Sequence, residues 1–292
     1  MELLWALEGI RTPLLDAAFS LITRLGEEMI LILVFCAFYW CISKRVAYVM
    51  GVSFFLSSLV VQGMKIIFRV PRPWVYDPGF STVAGAVREA TGYAFPSGHT
   101  QNAAAYLGAL GAQFRSKIIR LILFALVILV AFSRMYLGVH YLADVVVSLV
   151  ITFAIIWLAL KFVTNEPVSK KRELALSLII TVTAVIVIVI AVVQYHNGTT
   201  PAQLRDSILA AGAALGFALG MYVERNYIRF SVKATIPMQL LKFAIGLGGT
   251  IAIQEGVRIF GATLLVDGIR YFLMVTWITL VFPLIIRRFF AR

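Results

Sequence analysis

The stretch "LALSLIITVTAVIVIVIAVV", Leu174–Val193, runs for twenty residues without a charge. About 20 apolar residues cross the hydrocarbon of a bilayer as one helix. No water reaches the backbone there, so a spanning segment must close its own hydrogen bonds as a helix or a barrel strand. A barrel would show short alternating segments, and this run does not alternate. Similar runs recur along the 292 residues, and only 14% of the chain is charged, against about 25% in a soluble domain. Mean hydropathy is +0.93. A soluble domain is excluded. The chain reads as an all-α polytopic membrane helical bundle with about nine transmembrane helices. Spans are expected near 29–43, 46–67, 99–114, 118–137, 140–162, 174–194, 204–223, 236–257 and 264–286.

The rest of the chain is arranged around these runs. "MELLWALEGIRTP" lacks the basic start of a signal peptide and reads as an amphipathic interfacial segment, as does Arg11–Gly26. Cys36 and Cys41 lie five apart, off a common helix face, and read as packing residues. The linker "TNEPVSKKRE", 164–173, separates residues 1–163, read as a core, from a four-helix extension at 164–292. One long loop, Arg69–Gly98, is rich in Pro and Gly; loops of this length are commonly functional.

Charge orients the chain. Loops on one side carry fifteen Lys and Arg, beginning at Lys44 and ending at Arg292, against three acids. The other side carries ten basic residues and eleven acids. The positive-inside rule puts the first set in the cytoplasm, and it accounts for the +12 charge without nucleic acid. The long loop and the turn at Gly138–His140 then face outward.

Three clusters share that outer face. "KIIFRVPRP" brings Lys65 and Arg72; "PSGH" brings Ser97, Gly98 and His99; "SRMYLGVHYLAD" brings Arg134, His140 and Asp144. Ionisable groups at membrane depth are costly and mark function. Lys65, Arg72 and Arg134 suit an anion, Arg as a donor fork for phosphate oxygens and Lys as a point charge. Ser97 and Gly98 stand where a helix begins, and free N–H groups there favour phosphate. His140 and Asp144 lie one turn apart on one helix face, so the carboxylate can fix the imidazole tautomer. His140 is a candidate nucleophile and His99 a candidate acid. Two histidines and one carboxylate are a thin metal set, and three cations beside them would repel a metal; none is expected, nor any cofactor.

In order, Lys65-x6-Arg72-Pro73, Pro96-Ser97-Gly98-His99 and Ser133-Arg134-x5-His140-x3-Asp144 resemble the signature of the type 2 phosphatidic acid phosphatase superfamily, the lipid phosphate phosphatases, in a membrane-integral bacterial-type form. The resemblance covers roughly residues 11–163. It implies a vanadium-haloperoxidase-like helical core and a phosphohistidine on His140. His99 would serve as acid and then base, and Asp144 would orient His140. Lys65, Arg72, Ser97, Gly98 and Arg134 would hold the phosphoryl group. The implied activity is phosphate release from phosphatidic acid, phosphatidylglycerophosphate or a polyprenyl pyrophosphate such as the undecaprenyl carrier, at the outer face of a bacterial plasma membrane. A phosphotransferase using the same intermediate, and a lipid-binding or transport protein, are the alternatives.

Other residues have plainer readings. His196 lacks such a context, Arg69 reads as a snorkelling cation, and Arg88 and Glu89 as solvated loop charges. Ser133 is expected to hydrogen-bond within the site. Trp74, Tyr76, Phe80, Tyr93 and Phe95 resemble an interfacial aromatic belt, or the wall of a lipid entrance. Glu255, Arg258, Asp267 and Arg270 form an outer charged cluster whose role stays open. Gly212, Gly216 and Gly220 repeat every four residues, which permits close helix packing, internal or in a homo-oligomer.

Overall fold

The computed structural model describes residues 1–165 and 169–290. Those residues fold as helices joined by turns and loops, with no strand among them. Two short helices come first, α1 (Glu2–Gly9) and α2 (Pro13–Thr23); Thr12 caps α2 and Pro13 opens it. Next come α3 (Glu28–Ala37) and the long α4 (Lys44–Phe68), then a single turn, α5 (Pro73–Tyr76). One helix from 98 to 113 follows. It comprises α6 (Gly98–Ala103), a wide π turn and α7 (Ala109–Gln113). The remaining helices are α8 (Lys117–Tyr136), α9 (Leu142–Phe162), α10 (Lys170–His196), α11 (Pro201–Val223), α12 (Ile236–Arg258), α13 (Leu264–Thr276) and α14 (Phe282–Phe289).

Seven helical segments are long and apolar enough to cross a membrane. The pair Pro13–Gly26 and Glu28–Ile42, bent by 48°, makes an eighth if it is one broken span. The expected count of nine is not confirmed among the described residues, and the stretch that falls short is 98–113. At 1.5 Å per residue it rises only about 24 Å. Its position explains the length. Gln101 Nε2 donates to Ser57 Oγ at 2.7 Å, and Gln113 Oε1 accepts from Arg45 at 3.4 Å. The helix thus runs antiparallel to the lower part of α4 and begins below the level of Lys65.

The segment Arg11–Gly26 is held by the bundle. It packs on α8: Phe19 meets Tyr136 with ring centroids 4.4 Å apart, and the Tyr136 hydroxyl donates to Asp16 at 2.7 Å. Helix α4 is central, with buried residues along its whole length, and packs against α6, α9, α10 and α11. The glycine repeat on α11 lies against α13. A Cβ at Gly212 would collide with the Gly268 carbonyl, and one at Gly216 would stand 2.6 Å from the Phe272 carbonyl. The repeat thus serves internal packing.

Basic residues gather at the end away from Lys65. Lys44 donates to buried Glu224 at 2.8 Å, Arg225 to Glu173 at 2.7 Å, and Arg287 to the Tyr227 carbonyl at 2.8 Å. Arg172 reaches the last carbonyls of α9 at 3.1 and 3.2 Å, where a cation also favours the helix dipole.

Candidate active site

Lys65 lies in the last turn of α4 and is buried. Its ammonium donates to the Tyr93 carbonyl at 2.7 Å. The chain leaves α4 through Arg69, in the left-handed region at φ 50°, which swings the following residues back over the helix end. Arg72 then enters the interior. Its guanidinium donates to the carbonyls of Gly92 (3.2 Å), Thr91 (2.5 Å) and Val139 (2.9 Å). Two loops therefore hold one side chain rigidly.

Arg72 Nη1 also lies 2.9 Å from His140 Nε2. A guanidinium can only donate, so Nε2 accepts and carries a lone pair. The ring proton is then on Nδ1, which faces Asp144 Oδ2 at 3.1 Å. The same oxygen accepts the Tyr141 N–H at 2.9 Å, so Asp144 both caps α9 and sets the tautomer of His140. Burial, and then the cations Arg72, Lys65 and Arg134, hold the His140 pKa well below the ordinary histidine value.

Arg134 ends α8, buried, with Nη1 donating to Thr23 Oγ1 at 2.7 Å. Its carbonyl accepts the N–H groups of Val139 and His140 at 3.1 and 3.2 Å. The connecting turn needs Gly138 at φ 79°, a conformation that disfavours side chains. The "PSGH" turn is strapped to α9. The Ser97 N–H donates to the Asp144 carbonyl at 3.1 Å, and Ser148 Oγ donates to the carbonyls of Ser97 and Asp144, both at 2.9 Å. Ser97 Oγ caps α6, accepting from Thr100 N–H at 3.4 Å and its hydroxyl at 3.0 Å. Ser97 thus differs from its expected role: its N–H is already taken, whereas Gly98 opens into the cavity. His99 Nε2 is buried without a hydrogen-bond partner among the described residues. Lys65, Arg72, Arg134, His99 and His140 line one cavity of about 440 Å³.

Two family descriptions match in tandem: "PAP2 superfamily" over residues 46–168 and "PAP2 superfamily phosphatase, transmembrane extension" over 208–292. The chain belongs to the PAP2 superfamily. A lipid A 4'-phosphatase of Porphyromonas gingivalis is 30% identical over 154 residues, half of this chain. The match spans 64% of that relative's length. A transmembrane PAP2-type phosphatidylglycerolphosphate phosphatase of Bacillus subtilis is 24% identical, covering 55% of this chain and 82% of its own, with TM-score 0.48. Aquifex aeolicus LpxE is 25% identical, covering 55% and 93%, with TM-score 0.47.

In this PAP2 chain the cavity has a second wall that the motifs did not reveal. The N-terminal segment contributes Gly26 and Glu28, and a Cβ on Gly26 would stand 2.8 Å from the His99 carbonyl. Asn102 Nδ2 donates to the Gly26 carbonyl at 3.0 Å, and Tyr106 donates to that of Leu25. From beyond residue 200 come Asp206 on α11 and Tyr271 on α13. Thr91 donates to Asp206 Oδ2 at 2.6 Å, and the Tyr271 hydroxyl to Glu28 Oε2 at 3.2 Å. Carboxylates at membrane depth were the available signal.

Other candidates fall outside the cavity. Ser133 Oγ donates to the Val130 carbonyl of its own helix at 2.6 Å, contrary to its expected place within the site. Arg69 donates to the Ile66 carbonyl at 3.4 Å, and His196 is exposed beside Tyr195. The outer charged cluster splits in two. Arg258 pairs with Glu255 at 3.0 Å on the surface, and buried Asp267 takes Arg270 at 2.6 Å and Arg205 at 2.7 Å. Among the aromatics, Trp74 sits 5.9 Å from Arg72 and Phe80 stacks edge-on with Trp5 at 5.4 Å.

Proposed function

We propose that this protein is a membrane phosphatase that hydrolyses a lipid phosphate through a phosphohistidine on His140. One observation carries the reading: His140 Nε2 is a lone-pair acceptor at the cavity while its Nδ1 rests on Asp144. Phosphate oxygens entering the cavity replace the Arg72–His140 contact and take hydrogen bonds from Lys65, Arg72, Arg134 and the Gly98 amide. Nε2 then attacks phosphorus. The N–P bond forms as the bond to the lipid oxygen breaks, and His99, held neutral by burial and the neighbouring cations until the phosphate anion enters and draws a proton onto it, gives that oxygen its proton. A water attacks next, His99 takes its proton, and the N–P bond breaks to release phosphate. Asp144 stabilises the positive ring throughout. No step requires a metal, because the three cations carry the charge stabilisation.

The substrate is a membrane lipid, because the cavity is lined in part by helices long and apolar enough to cross a membrane. The family resemblance offers phosphatidic acid, phosphatidylglycerophosphate or a polyprenyl pyrophosphate, and the relative from Porphyromonas, a lipid A 4'-phosphatase, adds lipid A. The site faces the extracytoplasmic side of a bacterial plasma membrane. Supporting this, the basic ends joined through Lys44, Arg225 and Arg287 lie opposite Lys65. Residues 1–163 act as the catalytic core and 164–292 as an extension. Phosphate release from each lipid in detergent, with His140→Ala as control, tests the proposal. Turnover by that variant at the wild-type rate overturns it.

A further inference from the structure

A second cavity lies at the far end of the bundle. Helix α4 rises about 32 Å between Lys44 and Lys65 at 1.5 Å per residue, close to the hydrocarbon thickness of a bilayer. The pocket at Lys44 holds about 310 Å³ and shares no lining residue with the catalytic cavity. Its charge is uneven. Lys44, Arg225, Arg229 and Lys233 line it, and Glu224 is its lining carboxylate among the described residues. Glu224 is fully buried and largely occupied: it accepts from Lys44 Nζ at 2.8 Å, from the Phe230 N–H at 3.2 Å and from the Tyr48 hydroxyl. Arg225 lies over the Tyr48 ring at 5.0 Å and is paired with Glu173, which does not line the pocket, at 2.7 and 3.0 Å. Arg229 and Lys233 have no carboxylate partner among the described residues. Arg229 only gives its Nε to the Arg225 carbonyl at 3.2 Å. Its backbone sits at φ 49°, uncommon for a residue other than glycine, and the turn this makes lays Phe230 under Lys44 at 4.8 Å. The loop cations are thereby folded back over the start of α4.

We propose that this pocket is a second phosphate-group site, separate from catalysis and at the opposite membrane face, whose ligand is an anionic phosphodiester such as a phospholipid headgroup. Four cations against two carboxylates leave positive charge in excess, and a concave site lined by one sign of charge concentrates its field on an incoming anion. Arg229 offers a donor fork for phosphate oxygens, and Lys44 and Lys233 offer point charges. Phe230 supplies an apolar floor beside them. The loop then runs straight into α12, where exposed Ile236 and Leu240 give a lipid tail apolar surface. Basic pockets between helix ends at a membrane surface suit anionic headgroups for these reasons. A bound phosphate would join α4 of the catalytic core to the loop between α11 and α12 of the extension. The site goes beyond the phosphatase reading and does not depend on it.

The test measures binding to the purified full-length protein in detergent, by native mass spectrometry and by melting temperature. The probes are phosphatidylglycerol, its deacylated soluble headgroup glycerophosphoglycerol, and zwitterionic phosphatidylcholine. None is a phosphate monoester, so phosphatase turnover does not consume them. Wild type should bind phosphatidylglycerol about tenfold or more tightly than phosphatidylcholine, and melt higher with it. Arg229→Gln with Lys233→Gln removes two exposed cations, so this variant should melt with wild type in lipid-free detergent. Its affinity for phosphatidylglycerol should fall roughly 30-fold, about fivefold per cation. Should the double variant be unstable, Lys233→Gln alone repeats the test at about fivefold. Arg115→Gln with Lys117→Gln removes the same charge at the same end of the bundle, outside the pocket, and should leave the affinity nearly unchanged. A loss seen with phosphatidylglycerol alone places the ligand in the membrane; an equal loss with glycerophosphoglycerol assigns the site to a soluble phosphodiester. Equal affinity for phosphatidylcholine, unchanged affinity in the pocket variant, or the same loss in the Arg115 and Lys117 control overturns the site.

Discussion

Replacing Asp144 with Asn removes one charge and almost no volume. Asp144 Oδ2 accepts from both His140 Nδ1 at 3.1 Å and the Tyr141 N–H at 2.9 Å. An amide can keep both bonds with its oxygen in that place. Turned the other way, its NH2 would face the Tyr141 N–H, donor against donor. The His140 tautomer and the start of α9 should therefore survive. What is lost is the negative charge beside a ring that becomes positive when Nε2 bonds phosphorus. At an effective dielectric of about 20, a charge pair at about 4 Å is worth about 4 kcal/mol. The neutral hydrogen bond that remains keeps about 1 kcal/mol of that. The remaining 3 kcal/mol corresponds to a loss of roughly 150-fold. Steady-state phosphate release should therefore show kcat lowered between about 100- and 1,000-fold with KM nearly unchanged, in a protein of unaltered thermal stability. A kcat within fivefold of wild type, or a loss confined to KM, would refute the assigned role of Asp144.

Four further outcomes follow from the same geometry. Thr23→Val removes the buried partner of Arg134 Nη1 and should cost roughly 10- to 100-fold in kcat/KM, with little change in melting temperature. His140 should stay neutral, and so nucleophilic, below the usual histidine range; the acid limb of kcat/KM, corrected for substrate ionisation, should lie below pH 6.5 and not above it. The unfolded chain binds a proton there that the folded chain refuses, so stability should also fall as pH drops below about 6.5. Gly212→Val must part α11 from α13, and should lower stability in detergent by about 1–3 kcal/mol or more, read as a lower melting temperature, while also weakening catalysis by moving Asp206. Ala84→Cys, on the exposed part of the long loop, should react with an impermeant maleimide from outside intact cells; labelling only after permeabilisation would reverse the proposed orientation.

The sequence made some of this legible for identifiable reasons. Apolar runs as long as Leu174–Val193 have one physical solution in a bilayer, so most spans could be placed. Lys65, Arg72, His99, Arg134, His140 and Asp144 could be grouped because short spacings put each at a helix end on one face; the fold brings the first five to one cavity and sets Asp144 behind His140. The other wall was not legible. Thr23 meets Arg134 across 111 positions, Thr91 meets Asp206 across 115, and Glu28 meets Tyr271 across 243. No periodicity encodes such contacts; they follow from how α2, α11 and α13 pack. The depth of the 98–113 helix was hidden likewise, because hydropathy reports composition and not where a helix begins. Ser97 shows a finer limit: its place before a helix suggested a free N–H, and only the strap through Asp144 and Ser148 shows that N–H to be occupied.

The central claim is a covalent bond between His140 Nε2 and phosphorus. The most direct measurement is a rapid denaturing quench of the enzyme turning over a lipid labelled in its terminal phosphate, followed by peptide mapping. An acid-labile, base-stable label is expected on the peptide carrying His140, absent in His140→Ala and accumulating in His99→Ala if dephosphorylation becomes slow. Label on another residue, or full turnover with no trapped phosphoprotein at any quench time, would contradict it.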